Sequence, residues 1–168
     1  GTLGTDDDIM CSRSTDGGVT WSAPVAVNAN ASADSGDDGD VQIATDGQGN
    51  WMAAWYSKDT LGGSIGSDSD ILFSASQDDG LTWSYPAPVH PHAAYDTQGD
   101  INPFVTAYAG GFAVVWNSEH NLNGIGQDAD ILIASTRDMG TTWTTPVPVN
   151  ANATTDSGED TDPRLTVG

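Results

Sequence analysis

One cysteine, four basic side chains and no apolar run of membrane-spanning length set the first limits on this 168-residue chain. With Cys11 alone, no disulfide can form within the chain. Cys11 stands where later repeats have Phe73 and Ile133, so it is expected to be a buried thiol rather than a reactive one. The permanent cations are Lys58, Arg13, Arg137 and Arg164, against 24 acidic residues, a formal net charge of −20. That balance argues against nucleic acid and against an anionic membrane surface as partners. No initiator Met or signal peptide is present, and the chain is expected to be a mature piece or an excerpt of a longer protein. No stretch carries apolar residues at helical spacing, and turn signals interrupt every few residues, so the expected fold is all-β. Hydrophobic content is low at 37%, with 20 glycines, yet six tryptophans recur in strand-like segments, which disordered tracts do not show.

What the chain does have is one hairpin written three times: STDGGVTW from Ser14 to Trp21, SQDDGLTW from Ser76 to Trp83, and TRDMGTTW from Thr136 to Trp143. Each position has a mechanical reason. Ser14, Ser76 and Thr136 open the turn. Asp16, Asp78 and Asp138 can accept hydrogen bonds from its backbone N–H groups. Gly18, Gly80 and Gly140 stand where a tight hairpin needs positive φ. Thr20, Thr82 and Thr142 restart the strand, and Trp21, Trp83 and Trp143 are expected to pin each hairpin against its own sheet.

The repeat is larger than the hairpin. Trp21 to Trp83 is 62 positions and Trp83 to Trp143 is 60, and the same steps separate Asp8, Asp70 and Asp130. The two-residue difference falls in loops, which a repeated sheet unit tolerates. Each full unit holds four short strands, A to D, with the hairpin joining C to D. The expected boundaries are a partial unit at 1–39, units at 40–99 and 100–159, and the first strand of a further unit at 160–168. Ile71 and Phe73, and likewise Ile131 and Ile133, are expected to pack between neighbouring sheets, because face-to-face sheets need apolar residues on both sides.

The Ser/Thr-x-Asp-x-Gly-x-Thr-Trp hairpins resemble the Asp-box, or BNR repeat, of sialidase-like β-propellers, and the resemblance covers nearly the whole chain. It implies propeller blades of four antiparallel strands. Family members usually close a ring of six such blades, whereas this chain supplies about three, an incomplete ring. The open edges are therefore expected to be met by further blades of the same protein or by identical chains. The resemblance also implies what a catalytic member would need: three arginines gripping a substrate carboxylate, a Tyr-Glu nucleophile pair and an acidic Asp. Here Arg13 stands just before the first hairpin and Arg137 just before the Asp of the third, Arg164 lacks an Arg-Ile-Pro signature, and the only glutamates, Glu119 and Glu159, are loop residues without an evident tyrosine partner. Asp-boxes themselves are structural in that family.

In an up-and-down blade the A–B and C–D turns lie on one face and the B–C and D–A connections on the other. Asp16, Asp46, Asp78, Asp79 and Asp138 fall on the first face, and the other nineteen acidic residues fall on the second. They are patterned. The D–A connections carry Asp34, Asp38 and Asp40; Asp96, Asp100 and Asn102; and Asp156, Asp160 and Asp162. The B–C loops end in Asp6-x-Asp8, Asp68-x-Asp70 and Asp128-x-Asp130. Alternate residues of an extended chain point the same way, so each D-x-D aims two carboxylates to one side. Repelling carboxylates in glycine-bearing loops suit Ca²⁺, a hard cation that takes oxygen ligands. The alternative is a solvated acidic surface with no ion. On the calcium reading, Asn102 would make the middle site the weakest.

Asn30 and Asn152 begin sequons in equivalent D–A loops, where a glycan would project into solvent. His90, His92 and His120 show no transition-metal ligand spacing. Three functions compete: a non-catalytic, calcium-stabilised module of a secreted or cell-surface protein that scaffolds or binds glycans or proteins; a fibre subunit completed by strand exchange; and an excerpt of an exo-sialidase-type hydrolase. Carboxylates that recur in every repeat favour a structural role over one catalytic site.

Overall fold

A computed structural model of the chain describes residues 3–166. Ten strands form it: β1 (Met10–Cys11), β2 (Val25–Ala26), β3 (Asp38–Thr45), β4 (Trp51–Ser57), β5 (Asp70–Ser76), β6 (Ala87–Pro88), β7 (Asp100–Tyr108), β8 (Gly111–Ser118), β9 (Asp130–Thr136) and β10 (Val147–Pro148). They make a two-stranded ribbon, β1-β2, and two antiparallel four-stranded sheets, β3-β4-β5-β6 and β7-β8-β9-β10. Two short 3₁₀ turns, Pro91–Ala94 and Leu122–Gly124, are the only helical elements among the described residues. The final segment differs from expectation: residues 162–166 form no ladder, and Val167 and Gly168, like Gly1 and Thr2, lie outside the described residues. A segment at the place of strand A counts as a strand only when a neighbour pairs with it, and among the described residues none does.

The three hairpins fold alike. Asp16, Asp78 and Asp138 each accept from the backbone N–H four residues on at 2.9 Å and from that threonine's hydroxyl at 2.6 Å. Ser14, Ser76 and Thr136 hydroxyls donate to the same Asp at 2.8 Å and accept from the glycine N–H. The glycines take positive φ, and so do the residues before them, Gly17, Asp79 and Met139. Asp16 and Asp78 are held down to about pKa 2, first by the threonine hydroxyl bond and then by the backbone bond. A tight turn with few apolar neighbours is thus wired by its own side chains.

Packing runs between sheets as well as within them. One core cluster joins Met52, Ile71 and Phe73 to Val105, Phe112, Val114 and Trp116, uniting both four-stranded sheets. A second joins Ile9 and Val27 beside the ribbon to Trp55, Ile65 and Leu72. The hairpin tryptophans lie over their own hairpins as expected, Trp21 beside Gly18 and Trp83 beside Gly80, and two of them also reach beyond. Trp143 meets Phe73 of the preceding sheet edge-on, with ring centroids 5.1 Å apart. Trp83 reaches the same core cluster as half-buried Cys11, one repeat earlier. Among the described residues no sheet precedes the hairpin of Trp21, which is 64% exposed. Gly140 shows how close the approach is, since a Cβ there would stand 2.1 Å from Phe73 Cε2. Ile71 and Phe73 are buried, whereas Ile131 and Ile133 are only half-buried, because no following sheet covers that face.

Candidate metal centres

Each connection between strands D and A is stitched to the preceding B–C loop by the same backbone bonds. The amides of Asp38, Asp100 and Asp160 donate to the carbonyls of Asp7, Ser69 and Ala129 at 2.9, 2.6 and 2.7 Å. Those acceptors are the middle residues of the three D-x-D triplets. Hydrogen-bonding the middle residue backward leaves both flanking carboxylates facing the junction. Val27, Val89 and Val149 add a second bond, donating to Ile9, Ile71 and Ile131 at 2.8–2.9 Å.

Carboxylates from both loops therefore converge. Ligand atoms of Asp6, Asp8 and Asp34 lie within 4.8 Å of one another, and so do those of Asp68, Asp70 and Asp96. Asp100 stands close behind, its charge raising the pKa of Asp70 and Asp96, and in the first junction the charges of Asp34 and Asp8 raise that of Asp38. In the third junction Asp128, Asp156 and Asp160 act on Asp130 in the same way. Burial is deep: Asp70 is 1% exposed, Asp100 and Asp130 are 0%. Both oxygens of Asp70 and of Asp96, and one each of Asp6, Asp34, Asp38, Asp68, Asp100, Asp128, Asp130 and Asp156, have no hydrogen-bond partner.

The electrostatic consequence is direct. Desolvation first, then repulsion from Asp68, Asp96 and Asp100, pushes Asp70 up to about pKa 8. Asp38 rises to about 7 and Asp96 to about 6, with burial again the larger cause, and Asp34 and Asp130 shift the same way. Two carboxylates 4 Å apart repel by about 4 kcal/mol at an effective dielectric near 20. Among the described residues no Lys or Arg forms an ion pair with any carboxylate; the two close pairs involve His90 with Asp100 and His120 with Asp96. Buried oxygens without a partner and without a cation from the chain fit a hard divalent cation in donor type and count.

Asp40, Asn102 and Asp162 do not join these groups. They sit on strand A or its equivalent, at φ of 51°, 53° and 54°, and the register shifts between Gly39 and Gln42 and between Ile101 and Phe104. The bulges turn Asp40 and Asn102 away, and Asn102 Nδ2 instead donates to Asp162 Oδ1 at 3.5 Å. The ranking of the middle site by Asn102 loses its basis. The sequons differ too. Asn30 is 7% exposed, with Nδ2 donating to Asp59 at 2.6 Å, so its amide does not project into solvent. Asn152 is exposed, with Nδ2 on Asp156.

One set of residues escaped the reading of the sequence. Asn28 donates Nδ2 to Asp8 and Asp38 at 2.9 Å and accepts the Ile9 N–H at Oδ1, organising the first junction. Asn150 donates to Asp130 at 3.1 Å, and His90 Nε2 lies 2.7 Å from Asp100 Oδ2. Positions 28, 90 and 150 follow the same 62 and 60 steps as the aspartates, which is the signal that identifies them.

No family model matches the chain, and no curated protein does. Solved structures do. The Hadza microbial sialidase Hz136 aligns over 81% of this chain and 30% of its own, at 21% identity and TM-score 0.57. A leech intramolecular trans-sialidase aligns over 84% of this chain and 19% of its own, at 18% identity and TM-score 0.51. An α-L-arabinanase of Penicillium chrysogenum aligns over 85% and 41%, at 20% identity and TM-score 0.50. The chain thus spans between a fifth and two fifths of these structures' lengths. The fold they share is the β-propeller of sialidases and arabinanases, here as blades of an open ring.

Proposed function

We propose that the chain is a non-catalytic, calcium-stabilised Asp-box propeller module of a secreted or cell-surface protein, which scaffolds or binds glycans or proteins. The observation that carries this reading is the threefold recurrence of buried, unpartnered carboxylates at the blade junctions. A catalytic pair would be needed once, whereas a device for fixing one blade to the next is needed at every junction. Ca²⁺ bound to the D-x-D of one blade and the D–A aspartate beside it would tie sequential blades together. The glycosidase reading has less support in this chain. Arg137 stacks over Tyr108 at 5.7 Å and Arg164 over Phe104 at 5.4 Å, so neither is clustered for a substrate carboxylate. Glu119 and Glu159 are exposed.

A second reading rests on the open faces. Exposed Trp21 and half-covered Ile131 and Ile133 are the two halves of the contact that Trp143 and Phe73 make inside the chain. Further blades, or identical chains in a fibre, would cover them. Among the described residues, no helix is long and apolar enough to cross a membrane.

The purified chain is expected to release no sialic acid from a reporter sialoside above the uncatalysed background. An acidic face repels an anionic sugar through its field alone. Turnover that follows the chain through purification would reject the non-catalytic reading in favour of the glycosidase.

A further inference from the structure

The middle junction differs from its two counterparts in one chemical respect. Where Asn28 and Asn150 supply an amide, it has an imidazole, His90. An amide nitrogen has no lone pair to offer a metal, so Asn28 Nδ2 can only donate to Asp8 and Asp38. An imidazole nitrogen can donate or ligate. His90 is 4% exposed, stacked on Trp116 with centroids 5.4 Å apart, and its Nε2 faces Asp100 Oδ2 at 2.7 Å. Ligand atoms of His90, Asp96 and Asp100 all fall within 4.8 Å of one another. Asp96 is 7% and Asp100 0% exposed; both oxygens of Asp96 and Oδ1 of Asp100 lack any partner.

We propose that this junction is a mixed nitrogen–oxygen centre for a borderline divalent transition ion such as Zn²⁺ or Co²⁺, held by His90 Nε2, Asp96 and Asp100. Its bonds of about 2.0–2.2 Å need only a small closure of the three side chains around the ion. Imidazole and carboxylate together favour such ions over Ca²⁺, which takes oxygen alone. In the ion-free chain the His92 amide donates to His90 Nδ1 at 3.2 Å, so Nε2 carries the ring proton toward Asp100. Binding puts the ion in that proton's place and moves the proton to Nδ1, and the long His92 contact gives way. Two more imidazoles border the site. His120 turns Nδ1 toward Asp96 Oδ2 at 3.9 Å and holds His92 Nδ1 at 3.2 Å through its other nitrogen. The first junction has no counterpart to this group: Asn30 and Asp59 occupy the equivalent places. The proposal shares Asp96 and Asp100 with the calcium reading, but its nitrogen ligand makes it separately testable.

The test uses the tag-free chain, stripped of metal and then equilibrated with excess Ca²⁺ and one to three equivalents of Co²⁺. After gel filtration, both metals are counted by mass spectrometry and the visible cobalt spectrum is recorded. One cobalt per chain, retained against the calcium excess and absorbing in the visible, is expected. His90→Asn installs the residue found at both other junctions and is expected to weaken cobalt retention at least 100-fold while leaving the calcium count unchanged. His90→Gln, a second variant, should do the same; circular dichroism confirms that each is folded. Wild-type chain that retains no cobalt while holding calcium overturns this proposal alone. Equal cobalt retention by the folded variants overturns it too. Cobalt retained with no calcium bound supports it and removes the calcium reading instead.

Discussion

Stripping divalent ions from the protein at pH 8 is expected to lower its melting temperature steeply, and acidifying the stripped protein is expected to restore part of the loss. A site that binds only the folded chain adds about 2.7 kcal/mol at a hundredfold excess of ion over its dissociation constant. For a chain of this size that is about 5–10 °C per site, and the first two junctions each gather three carboxylates close enough for one. The pH arm follows from the raised carboxyls. Asp70 at about pKa 8, Asp38 at about 7 and Asp96 at about 6 all lie above their ordinary value of 3.8. Between those limits the folded, ion-free chain holds more protons than the unfolded one, so its stability falls as pH rises from about 4 to about 8. Bound calcium demands deprotonated ligands, so its benefit runs the other way and shrinks on acidification. Thermal melts at pH 5 and pH 8, with 1 mM Ca²⁺ or with EGTA, check both arms. A chelator-insensitive melt at pH 8 would leave only the solvated acidic surface.

Phe73→Ala is expected to be the most damaging single apolar truncation at the contact between blades. Phe73 is 4% exposed, meets Trp143 edge-on and lies against the Gly140 backbone, so its removal opens a hole that neither sheet can close. Phe→Ala in such a place costs about 3–5 kcal/mol. Ile133→Ala, at the same position one blade later, should cost only about 1 kcal/mol, since its side chain is already partly in solvent. Urea titrations of the two variants measure the difference. Equal losses would mean that the hairpin tryptophan does not carry the junction.

How much of this was legible in the sequence depends on what a repeat can show. The hairpins were legible because every bond that wires them is local, from Asp16 to Thr20 and from Ser14 to Gly18. The convergence of Asp6 and Asp8 with Asp34 was legible because the period places both loops on one face of the sheet. Asp40 and Asn102 stand apart from the converging carboxylates because a bulge, invisible to an alternation count, turns them out of line. Asn28 and Asn150 look like ordinary turn residues until their 62- and 60-residue steps are matched to those of the aspartates. The histidines were unreadable for another reason. His92 and His120 are 28 positions apart, and only the fold of two loops over one junction brings their rings together. Trp21 was expected to pack on its own hairpin, yet it is 64% exposed, because one hairpin cannot cover an indole that its counterparts bury against a second sheet.

The central claim is that the buried carboxylates oppose folding when bare and support it when an ion is bound. Asp70→Asn tests it most directly, because the change is nearly isosteric and removes one charge from the most deeply buried member of its group. In EGTA at pH 8 the variant is expected to melt above the wild type, since it relieves repulsion from Asp68, Asp96 and Asp100 and can donate to their unpartnered oxygens. In 1 mM Ca²⁺ it is expected to melt below the wild type, having lost an anionic ligand. A shift of the same sign in both buffers would contradict the account.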